Sequence, residues 1–159
     1  MKVYRVAGYV KLAKLWERNR EQATEYHNQY YRDKYRDDPG MVLAGVYIDI
    51  TGSKHIRNRP QMVRLISDCM SGTVDCIATQ TVAYLAANNE ELFHLLHYLF
   101  SLDPPVQIVT EDGNYHIDTI QNPDNQREAL WKMTSDFIKM NPAGYDKWKE
   151  DILQAIKKL

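Results

Sequence analysis

Three side chains on one predicted helix have the types and spacing of metal ligands. Glu91, His94 and His97 recur every three residues, so they share one face of a helix that begins near Asn88. Carboxylate and imidazole groups are ordinary ligands of zinc. Leucines surround them in the sequence, which favours the alternative that the two histidines pack inside the protein or at its rim: Leu92, Leu95 and Leu96. We therefore expect no metal and no cofactor.

Other familiar catalytic patterns do not occur in the sequence. It holds no glycine-rich phosphate loop, no Gly-x-Ser-x-Gly turn and no Cys-x-x-Cys pair. The informative residues instead form short motifs spread along the chain. These read Gly-Tyr-Val-Lys-Leu-Ala at 8–13, Asp-Ile-Thr-Gly-Ser at 49–53, Asn-Arg-Pro at 58–60, Gly-Thr-Val-Asp at 72–75, Val-Ala-Tyr-Leu-Ala-Ala-Asn at 82–88 and Ile-Asp-Thr at 117–119.

In this order and spacing the motifs resemble those of the catalytic domain of serine recombinases, the resolvase and invertase family. The resemblance spans roughly residues 3–139, and the Arg-Pro and Ile-Asp-Thr motifs are most similar to those of the large-recombinase branch. In that family a serine after the first strand attacks a DNA phosphate and becomes covalently joined to it. Arginines stabilise the charge of the transition state, so that no metal is needed.

The resemblance also implies that this chain lacks the family's catalytic groups. Ala13 stands at the position of the nucleophilic serine, and Lys11 stands where the family has an arginine. Tyr84 and Ala87 stand at the positions of two further arginines, and Gln80 at that of a lysine. A methyl group cannot attack phosphate, and a lysine cannot make the two-pronged contact of a guanidinium. The resemblance therefore implies a degenerate catalytic domain.

Asp49 and Arg59 are the two residues that match the family's polar site outright. By resemblance, Lys11 and Arg59 are the expected contacts with DNA. The alternatives are that Asp49 only caps the loop at the end of a strand and that Arg59 is a surface residue at the start of a helix.

The elements that must position these residues alternate between strand and helix periodicities. Strands are predicted at 3–12, 41–50, 74–82 and 106–110, and the nearly continuous apolar run at 41–50 is typical of a strand buried on both faces. A hairpin turn at 111–114 leads into a further strand at 115–117. Helices are predicted at 17–36, from Pro60 to a terminator at Gly72, from a cap at Asn88, and from near Asp124 onward.

This alternation predicts a three-layer α/β domain with a mostly parallel sheet of about five strands, the hairpin strand running antiparallel. Residues 1–140 form the resolvase-like domain, and residues 141–159 form a C-terminal helical extension. We expect Ala13, Asp49 and Arg59 to converge at the carboxyl ends of the strands. The predicted inward stripes are Ala23, Tyr26 and Tyr30 in the first helix and Val63, Ile66 and Met70 in the second.

Composition and charge restrict the class of protein. The 159 residues carry a net charge of −1, and 44% of them are hydrophobic, as expected of one folded domain. Apolar runs are too short for a membrane span, no signal core opens the chain, and two cysteines are too few for a disulfide framework. We therefore expect a cytoplasmic protein.

The charges are distributed unevenly along the chain. Residues 1–64 carry 13 Lys and Arg against 7 Asp and Glu, whereas residues 65–127 carry 1 against 9. The basic half could face nucleic acid, or its charges could simply solvate the first helix.

A long helix at 124–140 builds the dimer in the family, and this chain has an apolar stripe there: Ala129, Leu130, Met133, Phe137 and Met140. The resemblance thus implies a homodimer or a heteromer with a related recombinase, unless the extension covers the stripe and leaves a monomer.

Three functions remain open at this point. The first is a non-catalytic partner or regulator in site-specific recombination of a mobile element. The second is a DNA-binding module without a recombinase partner. The third is an active recombinase with a replacement nucleophile, for which the candidates are Thr51, Ser53 and Tyr84.

Overall fold

The computed structural model describes residues 2–113, 116–121 and 126–159. Within these residues the chain alternates strands and helices as predicted. In chain order the elements are β1 (Tyr4–Leu12), α1 (Arg20–Tyr35), β2 (Met41–Ile50), α2 (Pro60–Met70), β3 (Cys76–Thr79), α3 (Val82–Leu85), α4 (Asn89–Ser101), β4 (Gln107–Thr110), α5 (Glu128–Met140) and α6 (Pro142–Lys157). Short 3-10 helices cover Lys14–Asn19 and Ile56–Asn58.

The four strands form one parallel sheet in the order β2-β1-β3-β4. Alternate residues of β1 belong to two separate cores, because successive side chains of a strand point to opposite faces. Val6 and Val10 pack with α1 on one face, and Ala7 and Tyr9 pack with α2, α4 and α6 on the other. The predicted three-layer α/β architecture is therefore confirmed.

The described residues contain four strands where the sequence predicted about five. The chain does turn back antiparallel after β4, but it forms a single bridge there, between Val109 and Asp118. The hydroxyl of Thr119 accepts the backbone N–H of Ile108 at 2.9 Å, and that of Thr110 accepts the N–H of Ile117 at 2.8 Å. Side-chain oxygens thus accept some of the hydrogen bonds that backbone carbonyls would accept in a regular antiparallel pair of strands. Residues 114–115 of the predicted hairpin lie outside the described residues.

The strand predicted to be buried on both faces, β2, lies at the edge of the sheet. Its second half is covered on both sides, with Tyr47 and Asp49 facing α2 and Ile48 facing α1. Its first half is less protected, and Val42 is 56% exposed. In the middle of the sheet, β3 is buried at every residue and β1 at its central residues, 6–10. An apolar run does not by itself distinguish a central strand from an edge strand.

The predicted stripe of α1 is displaced in the structure, whereas that of α2 is buried except for its last residue. The buried residues of α1 recur every four positions: Ala23, His27, Tyr31 and Tyr35. Tyr26 is 63% exposed instead. Tyrosines follow two neighbouring stripes of this helix, and the contact of Tyr31 with Gly8 selects the one that faces the sheet. In α2, Met70 is exposed because it is the last helical residue, just before the terminator Gly72 with its φ of 82°.

The two C-terminal helices contribute unequally to the core. α6 begins at Pro142, where the side chain of Asn141 caps it by accepting the N–H of Gly144. Its residues Tyr145, Trp148 and Ile152 are buried. α5 begins at Glu128 and buries Thr134 alone among its residues. Residues 122–125, where the sequence places the start of this helix, lie outside the described residues.

None of the described helices combines the length and the apolar character needed to span a membrane.

Gly8 is required where α1 lies closest to the sheet. A Cβ atom at this position would lie 2.6 Å from Cδ2 of Tyr31, whose ring is fully buried. We predict that Gly8→Ala lowers the free energy of unfolding by about 1–3 kcal/mol, because overpacking displaces a ring that has no room to move. Urea unfolding followed by circular dichroism measures this loss.

The matched control for Gly8→Ala is Gly52→Ala, since nothing lies within 4 Å of a Cβ at that exposed site. Its effect should stay within about 0.5 kcal/mol. Equal effects of the two substitutions would contradict the packing of Tyr31 on Gly8.

Candidate functional site

Asp49 lies near the carboxyl end of β2 and joins the sheet to α2. Asp49 is 3% exposed, and its carboxylate accepts hydrogen bonds from the backbone N–H groups of Gln61 and Met62, both at 2.9 Å. These are N–H groups of the first turn of α2, which have no partner within the helix. The negative carboxylate also suits the positive end of the helix dipole. Asp49 therefore fixes where α2 begins.

Tyr9 completes this buried cluster from the neighbouring strand. Its hydroxyl donates a hydrogen bond to Oδ2 of Asp49 at 2.8 Å. Burial, and then the charge of Asp49, raise the pKa of the Tyr9 phenol far above its ordinary value. Tyr9 therefore stays protonated and serves as a hydrogen-bond donor. The sequence analysis did not single out this residue, although its position in the Gly-Tyr-Val-Lys-Leu-Ala motif was a signal.

Arg59 immediately precedes α2 and is fully buried. Its guanidinium donates hydrogen bonds to four backbone carbonyl groups, two in the loop after β2 and two in α3. The distances are 3.3 Å to Ser53, 3.2 Å to Lys54, 3.0 Å to Tyr84 and 3.3 Å to Leu85. The alternative that Arg59 is a surface residue is wrong. A contact of Arg59 with DNA stays a prediction, and its guanidinium would have to be uncovered to make it.

The residues at the end of β1 lie next to Asp49 and to the loop that contacts Arg59. Lys11 pairs with Asp49 in the register of β1 and β2. The end of β1 is also joined to the loop after β2, since the backbone N–H of Thr51 donates a hydrogen bond to the carbonyl of Leu12 at 3.0 Å. Ala13 follows directly and is exposed. The structure thus brings Lys11, Ala13, Asp49 and Arg59 to one edge of the sheet, at the carboxyl ends of its strands.

The remaining family-equivalent positions lie on the segment that follows β3. Gln80 comes directly after this strand and is half-buried. Tyr84 lies in α3, where its side chain packs against both cores. Ala87 is exposed between α3 and the Asn88 cap of α4. The segment thus approaches Arg59 with backbone carbonyls, and it brings no cationic side chain of its own.

Within the part of the chain that the structure describes, no base is hydrogen-bonded to the candidate replacement nucleophiles. The hydroxyl of Thr51 accepts the N–H of Ser53 at 3.0 Å. Among the described residues, no carboxylate or imidazole accepts a hydrogen bond from the hydroxyl of Thr51, Ser53 or Tyr84. A hydroxyl needs such a base to become a nucleophile near neutral pH. This edge can organise a loop or bind an anion.

Four cationic side chains at this edge of the sheet form no ion pair with a described carboxylate. Lys11, Lys14, Arg18 and Lys54 form no ion pair with any described carboxylate, whereas Arg20 is paired with Glu17. The 3-10 helix that carries Lys14 and Arg18 buries none of its residues. The rim of the edge is thus cationic and accessible to solvent.

Glu91, His94 and His97 serve as packing groups. The described residues contain no cluster of three or more His, Cys, Asp or Glu side chains with the geometry of a metal site. Glu91 is buried and accepts the N–H of Ile56 at 2.9 Å and the indole N–H of Trp148 at 3.0 Å. His94 lies among aromatic rings of α5 and α6. The ring of His97 stacks on that of Trp131, with 4.1 Å between the two ring centroids.

We predict that Arg59→Lys lowers the free energy of unfolding by about 2–3 kcal/mol, because an ammonium group cannot satisfy four carbonyls arranged around a planar guanidinium. Chemical denaturation measures the loss. Arg57→Lys is the control, since Arg57 is exposed and its ion pair with Asp151 survives the change. An Arg59→Lys protein as stable as the Arg57→Lys protein would contradict a supporting role for Arg59.

Stability should depend on the protonation of buried histidines. Burial lowers the pKa of His27 and of His94. As pH falls, the unfolded chain therefore takes up protons first. The contribution of these histidines to the free energy of unfolding is therefore complete above about pH 6.5, the ordinary pKa of histidine. It is lost as the pH falls from there through the lowered pKa of the folded state. Denaturation at a series of pH values measures this decrease.

His94→Gln provides the control for the pH dependence, because an amide does not titrate. We expect a shallower loss of stability in this variant as pH falls below the ordinary histidine pKa. Identical pH profiles for the two proteins would show that His94 does not contribute.

A scan against protein-family models found no match for this chain, and a search of curated proteins found none either. Solved structures do match it. The crystal structure of the N-terminal catalytic domain of TP901-1 integrase superposes with a TM-score of 0.61 at 18% identity, covering 87% of this chain and 97% of that one. The C-terminal catalytic domain of ISC1926 TnpA, an IS607-like serine recombinase, superposes with a TM-score of 0.51 at 19% identity, covering 97% of both chains. This protein has the fold of a serine recombinase catalytic domain.

Proposed function

We propose that this protein is a non-catalytic, cytoplasmic partner or regulator in the site-specific DNA recombination of a mobile element. The supporting comparison is the fold, which it shares with catalytic domains of recombinases. The observation that carries the proposal is the state of the site. Ala13 offers only a methyl group at the nucleophile position, and the buried guanidinium of Arg59 donates hydrogen bonds to four backbone carbonyls.

The size of the catalytic deficit supports a role without strand transfer. A tenfold change in rate corresponds to about 1.4 kcal/mol of transition-state free energy, and each arginine missing at positions 11, 84 and 87 withholds several kcal/mol of transition-state stabilisation. Absence of the serine removes the nucleophile on which the family's covalent route depends. Changes at separate points in the chain remove the chemistry while the Asp49 cluster and the fold remain intact.

The runner-up is a DNA-binding module that works without a recombinase. It is favoured by the unpaired cations Lys11, Lys14, Arg18 and Lys54 around the edge. A duplex-binding assay at two salt concentrations separates the proposals. Strongly salt-dependent binding that Lys11→Gln and Lys14→Gln weaken supports the module. Binding to an active recombinase encoded in the neighbouring reading frame supports the partner.

We predict that the protein forms no covalent adduct with DNA and that Ala13→Ser does not restore one, because the arginine contacts at positions 84 and 87 would still be missing. The assay incubates each protein with a pool of labelled, nicked duplexes and resolves it on a denaturing gel. An active serine recombinase on its own site is the positive control.

Two results of the adduct assay would contradict the proposal in different ways. An adduct with the natural protein would mean that another group acts as the nucleophile. An adduct with Ala13→Ser alone would mean that the missing arginines matter less than the missing serine. A comparison with the triple variant Ala13→Ser, Tyr84→Arg, Ala87→Arg separates the two contributions.

We also propose that α5 mediates self-association or association with a related recombinase. Two apolar side chains on one side of α5 are exposed, Met133 by 43% and Met140 by 77%. α6 packs its own aromatic residues on α4 and leaves these two side chains accessible. Exposed apolar residues that share one helix face are typical of an interface.

We predict a dimer at micromolar concentration and its dissociation by Met140→Glu, which places a charge on the exposed face. Light scattering coupled to gel filtration measures the mass. Leu15→Glu is the matched control, because Leu15 is 75% exposed and lies in the first 3-10 helix, far from α5 in the chain. A monomeric natural protein would refute self-association and weaken the partner proposal.

A further inference from the structure

The C-terminal helix α6 is attached to the loop whose carbonyls bury Arg59. The attachment runs through Glu91 of α4, which is 8% exposed. One oxygen of its carboxylate accepts the indole N–H of Trp148 in α6 at 3.0 Å, and the other accepts the backbone N–H of Ile56 at 2.9 Å. A single buried carboxylate therefore joins α6 to the loop between β2 and α2.

A second contact joins the same two segments at the surface. Arg57 donates to Oδ2 of Asp151 in α6 at 2.9 Å. Ile56, next to Arg57 in the loop, is fully buried in the core that also contains Trp148. Three groups of the loop are thus tied to α4 and α6: the backbone of residue 56, the Ile56 side chain and the Arg57 side chain.

The position of this loop decides whether Arg59 is covered. Ser53 and Lys54 supply two of the four carbonyls that accept hydrogen bonds from its guanidinium. The other two belong to α3, which follows Arg59 in the chain. If the loop moves away, Arg59 loses half of its acceptors and gains access to solvent at the cationic edge of the sheet. Two of its donors then become free.

We propose that α6 is an autoinhibitory strap that holds this loop closed and keeps Arg59 withdrawn. Release of α6 uncovers the guanidinium, which then binds an oxyanion of the phosphate type through its planar fork of N–H groups. The inference rests on the proposed function, because it gives that function a state in which Arg59 contacts phosphate. Binding of a phosphate-type anion to Arg59 is then coupled to any event that displaces α6 from the loop.

The proposal is tested by the chemical reactivity of Arg59 towards phenylglyoxal, which modifies accessible guanidinium groups. Peptide mass spectrometry follows the modification of Arg59 over time, with the exposed Arg64 as the internal reference. The strap variant is Trp148→Phe, Asp151→Asn, which keeps an aromatic ring and removes both polar contacts. We expect Arg59 to react slowly in the natural chain and about tenfold faster in the strap variant, given the strength of hydrogen bonds to a buried charge.

The matched control is Trp131→Phe, Asp136→Asn, the same two changes on α5, where neither side chain contacts the loop. Circular dichroism confirms that each variant is folded. Inorganic phosphate should slow the modification of Arg59 in the strap variant and leave Arg64 unaffected. Equal rates for Arg59 in the strap and control variants would overturn the strap, as would a natural chain in which Arg59 reacts as fast as Arg64.

These outcomes are independent of recombination. The strap fails if Arg59 accessibility does not respond to α6, whatever the protein does to DNA. The proposed function fails if the natural chain joins itself covalently to DNA, whatever the position of α6.

Discussion

Asp49 accepts hydrogen bonds from the first turn of α2 and from Tyr9 while it is almost fully buried. These bonds connect β1, β2 and α2 at one point, and removal of any partner would leave a buried charge with one hydrogen bond fewer to compensate it. Because α2 begins where the carboxylate holds it, the residue just before the helix is placed as well. That residue is Arg59. The geometry of the whole carboxyl edge thus depends on one carboxylate.

Arg59 extends this arrangement to two segments that are distant in the sequence. Its guanidinium gathers carbonyls from the loop after β2 and from α3. A buried cation is stable there because every carbonyl presents a partial negative charge to it. The same guanidinium that suits a phosphate by shape and charge suits these carbonyls. A site of this kind can lose its catalytic groups and still need its arginine, because the arginine holds the loops.

The sequence predicted the outline of the fold well and the detail of the site less well. The limits of β2 and the start of α2 at Pro60 followed from an apolar run and a proline, which are local signals. The inward face of α1 was wrong by one residue, because several tyrosines compete and only the sheet beneath, at Gly8, decides between them. That contact joins positions far apart in the chain.

The same limitation explains the candidate site. Asp49 and Arg59 were found from short motifs, but the burial of Arg59 depends on carbonyls of residues that lie up to 26 positions away. No local pattern encodes such a contact. Tyr9 was quoted within a motif without a role, since its role appears once the register places β1 beside β2. Glu91 was considered from the sequence as a possible metal ligand, and its bond to Trp148 required knowledge of where α6 packs.

Nuclear magnetic resonance of the arginine side chains tests the central claim, that Arg59 supports the fold from a buried position. In a ¹⁵N-labelled protein at neutral pH, the Nε–H of an exposed arginine exchanges rapidly with water. We expect a slowly exchanging Nε–H signal that disappears in the Arg59→Lys protein, because the Arg59 Nε–H donates to the carbonyl of Ser53 inside the protein. Rapid exchange of the Arg59 signal, at the rate of the exposed arginines, would contradict the claim.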